Sequence, residues 1–174
     1  TNVRYPYPIH TGLGKPHIDD KENSCAVYER DFDVDTLDSL VKINFAANSG
    51  AELYINDKFV GYSESSFDYQ EYDITDFVTA GKNVVKIVVY RYTTGSYLED
   101  QDMWRISGLF RDVNLIFEPY CHVADVYAKA DFNADFTEAT FDCTVDIACD
   151  KDDYGDGDVI VDLIDKEGNV VFND

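Results

Sequence analysis

The sequence predicts an all-β protein built as an antiparallel sandwich, and three observations carry that expectation. Short segments of alternating apolar and polar residues recur at close spacing, the pattern of hairpin-linked strands rather than of βαβ units. No segment holds a helical period for more than a turn or two. Hydrophobic residues make up 45% of the chain, with 13 Tyr and 11 Phe, so there is enough apolar material to exclude global disorder.

The strands are expected in order at Ala26–Phe32, Val41–Ala46, Glu52–Ile55, Phe59–Ser63, Val84–Tyr92 and Arg111–Glu118. Asn56-Asp57, between LYI and KFVGY, reads as a two-residue hairpin turn, because Asn and Asp tolerate left-handed backbone. In Val84–Tyr92 both alternating sets are largely apolar, which predicts a central strand covered on both faces. DITDF is the best helical candidate, a single turn with Thr75 or Asp76 as its cap.

Pro119, after LIFE, marks the expected boundary, with one domain over residues 1–118 and a second over 119–174. The second carries 15 acidic and 3 basic residues and a fresh strand series: His122–Lys129, Ala139–Cys149, Val159–Asp165 and Val170–Phe172. Four strands make an incomplete sandwich, since an immunoglobulin-like domain needs about seven. Its apolar face, including Phe141, Val145, Ile147, Val159, Val161 and Leu163, is expected to pair with another copy or to be the protease-sensitive part of the chain. An unfinished second domain and a start without methionine are what a piece of a longer chain would show.

The net charge of -21 disfavours nucleic acid and anionic membranes as partners, while a neutral sugar or a cation is compatible with it. No run approaches the roughly 18–20 apolar residues of a membrane span, and TNVRYPYPIH lacks the basic and apolar regions of a signal peptide. The four cysteines, Cys25, Cys121, Cys143 and Cys149, have no metal-ligand spacing. Cys143 and Cys149 fall on the apolar side of FDCTVDIAC and are expected to be buried free thiols, which fits a reducing, cytoplasmic location. DKDDYGDGD, Asp150–Asp158, is acidic, but Tyr154 occupies a ligand position in either calcium-loop register, leaving a solvated hairpin loop.

One stretch is not explained by strand formation. In GSYLEDQDMWRISGLFRDV, Gly95–Val113, three carboxylates (Glu99, Asp100, Asp102) crowd beside the only Met and only Trp of the chain. Gly95 and Gly108 bracket a long rim loop, and a loop of that length in a small sandwich more often serves function. The structural alternative pairs Glu99 or Asp100 with Arg105 or Arg111 while Trp104 plugs the end of the core.

SYLEDQDMWRISGLFRDV resembles the signature that closes the N-terminal domain of family 2 glycoside hydrolases of the β-galactosidase type. TNVRYPYP, LYINDKFVGYSESSFDYQEYDITDFV and AGKNVVKIVVYRYTTGSYLED agree with it in order, so the resemblance covers residues 1 to about 118. SGLFRDV is shared by the wider family, β-glucuronidases and β-mannosidases included, whereas DQDMW points to β-galactosidases.

The resemblance implies a jelly-roll sugar-binding domain followed by the start of an immunoglobulin-like domain, in an enzyme whose catalytic barrel and two catalytic glutamates lie outside this chain. It implies that Asp102 contacts galactosyl hydroxyls and helps to ligate sodium, and that Asn2 also contacts the sugar. A carboxylate suits an alkali cation and sugar hydroxyls, and an amide donates and accepts at once. Relatives also hold an auxiliary magnesium ion through an Asp before the glycine of the motif; here Thr94 stands at that position. The partners so implied are a β-galactoside and the rest of the parent enzyme. A free-standing carbohydrate-binding module and a family member with another sugar specificity are the alternatives.

Overall fold

The computed structural model describes residues 23–99, 106–150 and 157–173. It divides into two compact units, Thr1–Tyr120 and Cys121–Asp174. Among the described residues the first holds nine strands: β1 (Cys25–Val34), β2 (Leu40–Phe45), β3 (Ala47–Asn48), β4 (Ala51–Ile55), β5 (Lys58–Ser63), β6 (Gln70–Asp73), β7 (Gly81–Tyr90), β8 (Gly108–Leu109) and β9 (Asn114–Glu118). They form an antiparallel sheet in the order β1-β7-β4-β5, a second in the order β6-β2-β9, and a small β3-β8 pair. The fold is the all-β sandwich the sequence predicts.

Alternation decides which side chains meet between the sheets, because successive residues of a strand point to opposite faces. Val41, Ile43 and Phe45 of β2 share one buried cluster with Leu53 and Ile55 of β4 and Ile87 and Val89 of β7. Lys42, between two of them, turns outward. Its ammonium lies 2.7 Å from Glu118 and 3.5 Å from Glu71, one carboxylate on each neighbouring strand.

Strand β7 is central, as expected, but only one of its faces is fully covered. Ile87 and Val89 are buried, while Val84, Lys86, Val88 and Tyr90 are half-covered. On that outer face Lys86 crosses to the neighbouring hairpin, lying over the Tyr54 ring and reaching Asp57 at 2.8 Å. Asn56 and Asp57 both adopt left-handed backbone (φ 50 and 63) at the β4–β5 turn, as predicted.

Asn56 does more than turn. Its amide donates to Phe77 O and to Asn83 Oδ1, and its Oδ1 accepts from Val84 N. Asn83, 1% exposed, also accepts from Thr79 N and donates to Thr79 O and Gly81 O. Asn83→Leu therefore strands several polar groups at once, and a buried unpaired donor or acceptor costs about 1–3 kcal/mol. A loss of about 2 kcal/mol in denaturant unfolding is the expected result; an unchanged midpoint would show that these groups re-pair with water.

Two local expectations are corrected. The helical turn at Thr75–Phe77 is present, but neither Thr75 nor Asp76 caps it. Asp73 Oδ1 accepts from Thr75 N, and Thr75 Oγ1 instead accepts from Val41 N on the neighbouring strand. Strand β9 starts at Asn114 rather than Arg111, because its pairing with β2 ends at Asn44 opposite Asn114.

Among the described residues the second unit contains two hairpins, β10 (Cys121–Phe132) with β11 (Ala139–Cys149), and β12 (Asp162–Ile164) with β13 (Val170–Asn173). The expectation of buried free thiols fails here. Cys149 faces Cys121 in the β10–β11 register and is joined to it by a disulfide, and Cys143 is free but exposed. Phe141, Val126 and Ile147 on the same hairpin are 45%, 54% and 44% exposed, so that face has no cover among the described residues to bury a thiol. Among the described residues no helix is long and apolar enough to cross a membrane.

Candidate functional site: the stem of the acidic rim loop

Both ends of the loop are built on close backbone approach. Gly95 opens a single helical turn, Gly95–Leu98, and a Cβ there would lie 3.1 Å from the side chain and the carbonyl oxygen of Glu64. At the other end Gly108 has φ +127, a conformation that favours glycine, and a Cβ would meet the Tyr28 hydroxyl at 2.7 Å. At both glycines that bracket the loop in sequence a Cβ would thus crowd a neighbouring residue.

The entry is held by a carboxylate that the sequence does not single out. Glu64 follows β5, and its Oε2 accepts from Gly95 N at 2.6 Å. The Thr94 hydroxyl donates toward both carboxylate oxygens, at 2.9 and 2.8 Å, and Tyr62 Oη donates to Oε1 at 2.8 Å. Partial burial works against ionisation of Glu64, but these hydrogen bonds outweigh it and hold the carboxyl below its ordinary value. Burial, reinforced by the Glu64 hydrogen bond, pushes the Tyr62 phenol up.

Beneath this contact lies a group of buried hydroxyls. Ser49 Oγ is 2.9 Å from Thr93 Oγ1 and 2.7 Å from Ser96 Oγ, and Ser96 Oγ accepts from Thr93 N. Each hydroxyl can donate and accept, so three small side chains satisfy one another where a larger polar group would not fit. Further along, Glu99 Oε1 accepts from Ser66 N at 3.0 Å. Glu99 thus takes a backbone partner, and Arg111 takes aromatic ones, in place of the Glu99–Arg111 ion pair of the structural alternative.

A depressed carboxyl stabilises the loop stem above its unfolded pKa, near 4.5, and that contribution is lost as pH falls through the lower folded value. Hydrogen exchange at the Gly95 amide is therefore expected to stay protected down to that range and to accelerate below it, relative to Glu64→Gln. Identical pH dependence in the two proteins would contradict the assignment.

Asn2, Asp100, Asp102, Trp104 and Arg105 lie outside the described residues. What is visible is the stem that carries Asp102, not the side chain. Among the described residues no group of three or more His, Cys, Asp or Glu is placed to hold a metal ion. A magnesium ion at the Thr94 position would need oxygen acceptors turned toward it, whereas Thr94 spends its hydroxyl hydrogen on Glu64 and the Glu64 carboxylate is satisfied by protein donors. Among the described residues these oxygens are engaged with one another. A groove of about 990 Å³ between β1 and the segment Leu109–Leu115 is lined by neither Thr94 nor Glu64.

Glu64 escaped sequence reasoning because its partner Thr94 is 30 positions away, so no local spacing links the two. Its one local sign is a carboxylate in a serine-rich connection, SESS, directly after a strand.

Residues 1–119 match the sugar binding domain of glycosyl hydrolases family 2. Over 98% of its length the chain is 37% identical to a β-galactosidase of Clostridium acetobutylicum, and over 99% it is 37% identical to one of Streptococcus thermophilus. It spans 19% and 17% of those two proteins. Among solved structures, an FMN-binding β-glucuronidase from Facaelibacterium prausnitzii L2-6 superposes with a TM-score of 0.69 at 25% identity, covering 87% of this chain and 25% of that one. A Bifidobacterium dentium β-glucuronidase superposes with a TM-score of 0.65 at 22% identity, covering 86% and 30%, a likeness of fold. A two-sheet sandwich whose glycine-bracketed acidic loop sits in a matched sugar binding domain places this chain in glycoside hydrolase family 2.

Proposed function

We propose that the chain is part of a β-galactosidase that hydrolyses terminal non-reducing β-D-galactosides, to which it contributes substrate contacts but not the bond-breaking groups. The observation that carries this is the match over nearly the whole chain, at 35–37% identity, to three proteins that are all β-galactosidases. DQDMW, residues 100–104, supports the same specificity within the family.

In this reading Asp102 and Asn2 contact the galactosyl hydroxyls from the rim, and Asp102 also offers an oxygen to a sodium ion. When bound, that ion supplies a positive charge that orients sugar oxygens. The chemistry is retaining hydrolysis by two glutamates about 5 Å apart on the barrel of the parent enzyme. Glu29, Glu52, Glu71 and Glu118 stand on strands of the sandwich.

The solved β-glucuronidases of like fold favour a second reading, in which the parent acts on glucuronides. The enzyme encoded by the complete reading frame separates the two when assayed on chromogenic β-galactoside and β-glucuronide. Turnover of the galactoside is expected, and preference for the glucuronide would overturn the proposal. The chain by itself is expected to show no turnover of either, and galactose titrated into it by NMR is expected not to saturate below about 1 mM, an affinity near -4 kcal/mol. Saturation below that concentration would favour a free-standing binding module.

A further inference from the structure

Three contacts made by one short connection converge on the loop that bears Asp102. The connection runs from Glu64 to Tyr69, between β5 and β6. Glu64 holds the loop entry through Thr94 and Gly95. Two residues on, Ser66 N donates to Glu99, the last described residue before the acidic centre of the loop. One residue further, the Phe67 ring packs at 5.6 Å and 57° against Phe110, just past the loop exit. A single segment therefore touches the chain on both sides of Asp102.

The connection is itself fixed by the strands around it. Gln70 Nε2 donates to Ser65 O at 2.6 Å, Ser65 N donates to Ser63 Oγ at 3.2 Å, and Ser66 Oγ donates to Asn48 Oδ1 at 3.3 Å. Phe67 has φ 71, an outlier for a bulky side chain, and such conformations persist where their surroundings over-determine them. The strained residue is the one whose ring reaches the loop exit.

We infer that the Glu64–Tyr69 connection is the mould that sets the position of the Asp102 loop, with Glu64 as its positioning residue. This rests on the proposed contact between Asp102 and the sugar. Glu64 touches no substrate; it acts through the backbone it holds. The physical requirement is placement, because a displacement of about 1 Å at a group that orients substrate can cost on the order of a hundredfold in rate. The contacts of the connection fix the described chain on both flanks of the 100–105 segment, at Thr94, Gly95 and Glu99 before it and at Phe110 after it.

A double-mutant cycle in the full-length enzyme tests this, with kcat and KM for a chromogenic β-galactoside measured for the wild type, Asp102→Asn, Glu64→Ala and the pair. Glu64→Ala is expected to lower kcat/KM about tenfold in the wild type and less than about twofold once Asp102 is replaced, since a residue that acts through another loses its effect when the other is gone. Glu64→Gln, which keeps one acceptor oxygen for Gly95, is expected to recover most of the loss. Equal losses from Glu64→Ala in both backgrounds would overturn the inference while leaving the role of Asp102 standing. If Asp102→Asn alone leaves kcat/KM unchanged, the proposed sugar contact fails and the inference falls with it. Should Glu64→Ala not fold, Thr94→Val, which removes only the hydroxyl donor, takes its place in the cycle: a loss confined to the Asp102 background supports the inference, and equal losses in both backgrounds overturn it.

Discussion

Replacing Phe45 with alanine is expected to destabilise the first unit by about 3–5 kcal/mol. Phe45 is fully buried on β2, the middle strand of its sheet, and lies over the Tyr72 ring of the neighbouring strand at 5.9 Å and 16°. Its removal costs the transfer energy of the ring and leaves a cavity that two packed sheets cannot close without breaking their ladders. Domains of this size are stable by only about 5–15 kcal/mol, so the loss would take a large share of the total. Phe59, 54% exposed and touching the Tyr54 ring at its edge, is the control, with an expected cost below about 1 kcal/mol. Urea unfolding of both variants checks the pair, and similar costs would mean that the core is not where the buried cluster puts it.

The second large effect is on activity. Asp102→Asn in the full-length enzyme is expected to reduce kcat/KM by about ten- to hundredfold and to weaken its dependence on sodium, with little change in melting temperature. A hydrogen bond to a charged group contributes about 1.5–3 kcal/mol, and the amide keeps the shape of the carboxylate while losing its charge. Asp100→Asn, two positions away, is expected to do far less. Rates measured across a sodium titration decide it. Equal effects from Asp100 and Asp102, or failure of the Asp102 variant to fold, would show that the motif is assigned to the wrong carboxylate.

What was legible in the chain follows from local physics. The β4 segment alternates so regularly that its buried set, Ala51, Leu53 and Ile55, can be read directly. Asn56-Asp57 announces its turn by residue type alone. Strand β6 was not legible, since Gln70–Asp73 is short and polar and becomes a strand by pairing along the edge of β2 and laying Tyr72 on Phe45. The fate of Cys149 was not legible either, because its partner Cys121 is set by hairpin register and its exposure by what covers the hairpin, both properties of the assembled sheet.

By itself, then, the sequence determined the all-β class, most of the strands, the glycine-bracketed acidic loop and the family to which its motif points, because alternation, turn chemistry and short motifs act over a few residues. Only the tertiary structure decided that Glu64 holds Thr94 and Gly95 from 30 and 31 positions away, that Ser49, Thr93 and Ser96 satisfy one another, and that Phe67 reaches Phe110. Such contacts join residues far apart in the chain, and the energy that selects them exists only once the sheets have packed and brought their ends together.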